Sequence, residues 1–204
     1  MQHTISHCGV VVVAAGQSKR LGRPKQLLMY DGKTLINRLL HMVHQAGQFS
    51  TVVVLGAAAV DIRQQMEDES STIIINEQWE EGMGGSIKLG LTALLQQHPT
   101  VDGVMILVCD QPYLTAENIQ ALVQLQKETD LPIAACYYAQ ILGTPALFHQ
   151  TYFSQLLNLK GDVGAKYIIQ HHQSQVAALH FEKGMLDIDT EKDYQQLIDT
   201  ASGK

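Results

Sequence analysis

The 204 residues include only three cysteines, Cys8, Cys109 and Cys136. They are odd in number and far apart, so neither a disulfide framework nor a CxxC metal site is indicated. Cys8 and Cys109 lie in apolar runs, where cysteine acts as a small hydrophobe. No apolar stretch approaches the roughly 18 residues of a membrane span. No cationic segment precedes the first apolar run, as it would in a secretory signal. A cytoplasmic protein is expected. Positive charge is also scarce: 14 Lys and Arg face 20 Asp and Glu, a net charge of −6. That removes the electrostatic case for binding nucleic acid or an anionic membrane. Several fingerprints are missing too. There is no GxGxxG, which argues against an NAD(P)-dependent oxidoreductase, and no GxSxG or Ser-His-Asp pattern for hydrolysis. The histidines lack Cys or carboxylate companions at ligand spacing. His41 and His44 stand beside the apolar face of their helix and are expected to face water. His171 and His172 end a helix, where basic groups complement the dipole.

What is present is a regular alternation. "VVVVAA" (Val10 to Ala15) is short and valine-rich and reads as a buried strand. "TLINRLLHMVHQAG" follows, with Leu35, Ile36, Leu39, Leu40 and Val43 at helical spacing and Gly47 as its stop. "TVVVLG", "TIIIN" and "GVMILVCD" are further strands. Val60 to Met66 and "SIKLGLTALLQQ" are helices, and Thr115 caps another. "PIAACYY", "PALF" and Val176 to Phe181 read as later strands. Helices are expected from Gln150 to Leu157, from Val163 to His171 and over "TEKDYQQLI". This spacing predicts an α/β fold, three-layered αβα and Rossmann-like, around a mainly parallel sheet. A single domain spanning 1–204 is expected. The stretch from Thr129 to Gly184 is less regular and is expected to form a lid or small subdomain.

Ligands of such sheets bind beyond the carboxyl ends of the strands. The first strand ends in "AAGQSKRLGRPK", which gathers Lys19, Arg20, Arg23 and Lys25 within ten residues of Gly16. Glycine loops present backbone amides to anions, and four cations add charge where a polyphosphate would lie. The loop is not a Walker A sequence, because five residues separate its glycines and Arg-Pro-Lys follows the second. A solvated surface loop is the plainer alternative. "CDQP" puts Asp110 directly after a strand, suited either to Mg²⁺ or to a turn. In "LDIDTEKDY", Thr190 and Asp193 fit a capping box, while Asp187 and Asp189 share one side of a short extended segment, opposite Ile188, as candidates for a second metal carboxylate. "EGMGGS" leads into a helix whose first amides suit a base edge or a phosphate; a flexible connection is the alternative.

Taken together, "AAGQSKRLGRPKQLL", "NEQWEEGMGGSIKLGL", "CDQP", "GTPALF", "GDVGAK" and "DIDTEKDY", in this order from Val10 to about Leu197, resemble the molybdenum cofactor cytidylyltransferase family of the MobA-like NTP transferase superfamily. Leu21 and Val13 stand where that pattern favours Met and Leu, both apolar exchanges. The resemblance implies a glycosyltransferase-A type fold and Mg²⁺-dependent transfer of CMP from CTP to the phosphate of molybdopterin, with release of pyrophosphate. It implies that Arg20 and Lys25 balance the triphosphate and that Asp110, with Asp189 or Asp187, holds Mg²⁺. Ala14, Ala15 and Gly16, with Gly84, Gly85 and Ser86, would surround the base, and Gly143 and Pro145 would shape the acceptor site. Asp162 is expected to cap the helix after it. The implied partners are CTP, the molybdopterin cofactor and a molybdoenzyme client or its chaperone. The alternatives are a guanylyltransferase, a cytidylyltransferase for sugar or polyol phosphates, and a carrier of the pterin without catalysis.

Overall fold

Alternation along the first strand sets the layers. β1 (Cys8–Ala14) turns Val10, Val12 and Ala14 into one hydrophobic cluster and Val11 and Val13 into another, and all five are buried. A strand covered on both faces needs no polar residue, which accounts for its unbroken apolar character. The computed structural model describes residues 2–201; residue 1 and residues 202–204 of the expected domain lie outside them. After β1 come β2 (Met29–Tyr30), β3 (Lys33–Thr34), α1 (Leu35–Ala46), β4 (Ser50–Leu55), α2 (Ala59–Gln65) and β5 (Thr72–Ile75). The chain continues through α3 (Met83–Gln97), β6 (Gly103–Val108), α4 (Ala116–Thr129), β7 (Ile133–Tyr138), β8 (Ile141–His149) and α5 (Phe153–Leu157). It closes with α6 (Ala165–His171), β9 (Val176–His180) and α7 (Glu191–Ala201).

Seven strands form one sheet in the order β5-β4-β1-β6-β8-β7-β9. Only β8 runs against its neighbours; the other pairings are parallel. Leu35, Ile62, Ile119 and Leu197 bring α1, α2, α4 and α7 onto one face. Ile87, Leu91, Phe153 and Ile168 bring α3, α5 and α6 onto the other. The three-layer α/β fold read from the sequence is the fold observed. Among the described residues, no helix is long and apolar enough to cross a membrane.

One local expectation is corrected. The stretch from Thr129 to Gly184 is no lid or subdomain. It supplies β7, β8 and β9 to the same sheet, and α5 and α6 to the same layer as α3. Its irregular look in sequence comes from the reversed strand, which is joined by a tight turn at Ala139 and Gln140, both left-handed, instead of by a crossover helix. Met29 to Thr34 form the β2–β3 hairpin. Asp31 and Gly32 both take positive φ, 52° and 75°, as an Asp-Gly turn does. Three further signals hold. Thr115 Oγ1 accepts from Asn118 N at 3.4 Å in a full capping box, Thr190 and Asp193 form theirs, and His41 and His44 are exposed.

Candidate active site

The segment after β1 is folded back onto the strand it leaves. Ser18 takes a left-handed φ of 56°, and its carbonyl accepts from Leu21 N and Gly22 N at 3.0 and 3.2 Å. Its hydroxyl accepts from Lys25 N at 3.1 Å. Gln26 finishes the closure. Its side chain is buried, and Nε2 donates to Ala14 O at 2.8 Å and Gly16 O at 3.2 Å. The buried Ala14 carbonyl and the Gly16 carbonyl beyond the strand end are thereby satisfied, and Lys25 is held on the inner side of the loop.

Asp110 lies two residues beyond β6, next to β1 in the sheet. The chain returns to it from far away: Ile188 N donates to Asp110 O at 3.0 Å. Ile188 is buried in the core, so Asp187 and Asp189 stand on the other side of this short segment. Lys25 Nζ sits 2.7 Å from Asp110 Oδ2 and 3.0 Å from Asp189 Oδ1, and Arg20 Nη2 is 2.7 Å from Asp189 Oδ2. The Lys25–Asp110 pair is sheltered, with side chains 16% and 22% exposed, whereas Arg20 is 70% exposed. Exposed pairs of that kind contribute little stability.

These contacts set the protonation of the cluster. Burial alone would lower the pKa of Lys25, but the Asp110 and Asp189 carboxylates override it and raise the value. Burial would raise Asp189, yet Lys25 and Arg20 hold it below the usual carboxylate range. Asp187 goes the other way. It is an exposed residue whose carboxyl leans into the cluster, where desolvation and then the Asp110 and Asp189 charges push it up to about 7. Like charges that converge on one point are what a cation relieves.

A cleft of about 590 Å³ opens beside this cluster. Ala14, Ala15, Gly16, Lys25, Ser86 and Asp110 all line it. Arg20 and Asp189 stand at its edge through the ion pairs just described. Other expected residues lie elsewhere. Gly84 packs against the 159–161 backbone, where an added Cβ would come 2.8 Å from Lys160 N. Gly85 faces a neighbouring cavity. Gly143 and Pro145 are buried within β8 and do not line the cleft, and a Cβ on Gly143 would meet Tyr138 Oη at 2.5 Å. Asp162 does not cap α6: a turn at Gly161 delays the helix, its N-cap is Gly164, and Asp162 lines the cleft instead.

Four further residues shape the cleft or the segments that support it. Trp79 lines the cleft, and Gln17 does so beside Gly16. Gln26 and Gln111 are buried amides, the latter donating to Thr144 O at 3.1 Å and Gly184 O at 2.9 Å. A glutamine inside an apolar stretch, as in "PKQLL", is the signal that such a bridge exists.

Among the described residues, no group of three or more His, Cys, Asp and Glu side chains is arranged as a metal cage. The donor set nevertheless suits Mg²⁺ or Mn²⁺ at a phosphate site, which needs one or two carboxylates with phosphate oxygens and waters. Asp110 and Asp189 already converge on a single ammonium.

The open αβα sheet is shared by a nucleotidyl transferase from Methanothermobacter thermautotroptrophicus, which superposes with a TM-score of 0.78 at 17% identity, over 96% of this chain and 97% of that one. The chain belongs to the MobA-like NTP transferase domain family, whose model matches residues 10–176. It is 35% identical over 114 residues to nicotine blue oxidoreductase of Paenarthrobacter nicotinovorans, which covers 55% of this chain and 54% of the relative. It is 28% identical over 200 residues to the purine catabolism protein PucB of Bacillus subtilis strain 168, covering 92% and 94%. Rv0371c from Mycobacterium tuberculosis H37Rv superposes with a TM-score of 0.83 at 30% identity, over 96% of this chain and 99% of that one. A complex of Rv0371c with manganese aligns with a TM-score of 0.79 at 28% identity, over 96% and 100%.

Proposed function

We propose that the protein is a divalent-metal-dependent nucleotidyltransferase that moves CMP from CTP to the phosphate of molybdopterin and releases pyrophosphate. The observation that carries the reading is the meeting of Lys25, Asp110 and Asp189, drawn from three distant segments, at the mouth of a cleft floored by the Ala14–Gly16 loop. A carrier of finished cofactor has no use for that cluster. The AAG of the first loop supports CTP over GTP by its likeness to the cytidylyl branch, and the manganese bound by Rv0371c supports a divalent ion.

The reaction is a displacement at the α-phosphorus. An oxygen of the acceptor phosphate attacks, the bond to the bridging oxygen breaks, and pyrophosphate leaves with the electron pair. The acceptor oxygen is already ionised, so no side chain must remove a proton. Positioning and charge neutralisation are what such a transfer asks of a protein. Lys25 and Arg20 turn from their carboxylates to the triphosphate and stabilise charge that grows on the leaving pyrophosphate. Asp110 and Asp189, with Asp187 beside them, would hold the metal, which would supply positive charge against the phosphates. Gln26 fixes the two carbonyls that shape the nucleotide's floor. Gly143 and Pro145 act on the acceptor only through the placement of β8, which Gln111 ties to the 184 turn.

The test supplies Mg²⁺ or Mn²⁺, each of the four nucleoside triphosphates and molybdopterin, and follows pyrophosphate. Release that requires molybdopterin and is fastest with CTP is expected. A preference for GTP would reassign the base, and no release with any triphosphate would remove the reading.

A further inference from the structure

Strand order separates the cleft into two ends. The charged end lies on the β6 side of β1, where Asp110 and Asp189 meet Lys25. The other end lies on the β4 and β5 side, and its wall is built by the short turn between β5 and α3. That turn is fixed at every step. Asn76 N donates to Leu55 O at 2.7 Å, Gln78 N to Asn76 Oδ1 at 3.0 Å, Gly82 N to Trp79 O at 3.1 Å, and Gly84 N to Gly161 O at 3.0 Å. Trp79 is seated tightly. Gly56 lies so close beneath it that an added Cβ there would stand 2.6 Å from Trp79 Cβ and 2.6 Å from Ala15 O. The indole is half-buried and lines the cleft, and it is the sole aromatic among the described residues that do. It is also the only tryptophan in the chain. A buried structural tryptophan would be enclosed, whereas this one keeps a surface open to the cleft, at the end away from the phosphate-binding charges.

We propose that Trp79 is the platform on which the base of the bound nucleotide stacks. The proposal rests on the nucleotide reading above and extends it to a residue that touches the base and not the triphosphate. A flat apolar ring accepts the π-face of any base, so Trp79 supplies affinity for the nucleoside while leaving choice among bases to edge contacts. Ser86 is buried and accepts from Asn76 Nδ2 at 3.0 Å, a bond that braces the turn carrying Trp79. The polyphosphate end is untouched by this arrangement, so the two halves of the ligand are separable in binding.

That separation is the test. Binding of CTP and of inorganic tripolyphosphate, each with Mn²⁺, is measured by calorimetry for the wild type, Trp79→Leu and Trp79→Phe, and the wild-type tryptophan fluorescence is followed in the same titrations. CTP quenches the fluorescence and tripolyphosphate does not. Trp79→Leu weakens CTP by roughly 5- to 150-fold, the span of base–aromatic stacking, leaves tripolyphosphate within twofold, and Trp79→Phe recovers most of the loss. Equal weakening of both ligands by Trp79→Leu overturns the proposal and makes the residue a support for the loop. Unchanged CTP affinity in Trp79→Leu overturns it as well. If the wild type binds tripolyphosphate but CTP no better, the base has no platform and the proposal falls while the anion site stands; if it binds neither, the nucleotide reading falls first.

Discussion

Two cavities flank the first turns of α3. The cleft, about 590 Å³, takes Met83 and Ser86 from one side of the helix; its neighbour, about 760 Å³, takes Gly85, Lys88, Leu89 and Thr92 from the other. The neighbour is larger and also charged, with Glu77, Glu81, Lys88 and Lys160 along its wall. Among the described residues, however, none of those four forms an ion pair with another. Its lining comes from two stretches, 75–92 and 159–161. The cleft draws in residues 164 positions apart in the chain, Lys25 and Asp189, and aims them at one point. Volume measures where the packing stops. Convergence of charge costs desolvation and repulsion, which raise the pKa of Asp187, and perturbed groups of this kind concentrate at functional sites.

The sharpest way to break this contrast is to remove one charge from each cavity. Asp110→Asn should lower the turnover number by about 10²- to 10³-fold, the scale of losing one transition-state contact, with an unchanged far-UV circular dichroism spectrum. Lys160→Ala should stay within about twofold, as a surface change away from the chemistry does. Steady-state pyrophosphate release decides it. Comparable losses in the two variants would end the distinction between the cavities.

Within the cleft, Lys25 and Arg20 should not be equivalent. Lys25 is sheltered and joined to both carboxylates, while Arg20 is mostly in solvent. Lys25→Met should lower turnover by about 10²-fold and Arg20→Ala by only about tenfold, since exposed charges are screened. Lys25→Met should also bind Mn²⁺ more tightly than the wild type when nucleotide is absent, because the ammonium no longer occupies Asp110 and Asp189. Electron paramagnetic resonance of free Mn²⁺ measures this, and weaker binding in the variant would show that the lysine helps to build the metal site instead of competing for it.

The parts of the site that were legible in the sequence are local. Cations packed into ten residues after a strand, and an aspartate at a strand's end, announce themselves without knowledge of the fold. Gln26, Gln111 and Trp79 were missed because their roles lie in contacts with other segments: carbonyls of β1, carbonyls of β8 and the 184 turn, and the Gly56 backbone. The αβα layering was readable because valine-rich strands need cover on both faces. The direction of β8 was not, since a reversed strand and a parallel one carry the same apolar alternation. That one ambiguity turned three strands of the sheet into an expected lid. The Asp-Gly at 31–32 is a hairpin signal, but strands of two residues leave no flanking alternation to support it.

A carboxylate outside both cavities supplies the smallest effect and a reference for a carboxylate held by local hydrogen bonds. Asp68 accepts from Ser70 N at 2.9 Å, Ser70 Oγ at 2.8 Å and Ser71 N at 3.2 Å, and meets His44 Nε2 at 3.1 Å. Burial would raise its pKa, but the serine and histidine contacts override that and lower it. A depressed folded pKa means stability that is full above the unfolded value near 4 and is lost as pH falls through the folded one. Asp68→Asn should therefore lower the melting temperature by several degrees at pH 7, at about 2–4 °C per kcal/mol for a chain of this size, and the gap to the wild type should narrow below about pH 4. A gap that is constant with pH would show that the hydrogen bonds, and not the charge, stabilise this turn.

The proposed chemistry depends on where the metal and the triphosphate meet. Crystals grown with Mn²⁺ and CTP, with data collected at the manganese absorption edge, locate the ion directly. The anomalous peak is expected between the carboxylates of Asp110 and Asp189, with Lys25 moved from both onto the triphosphate. A peak beside Glu77 and Glu81 in the larger cavity, or Lys25 still bound to Asp110 with nucleotide present, would contradict it.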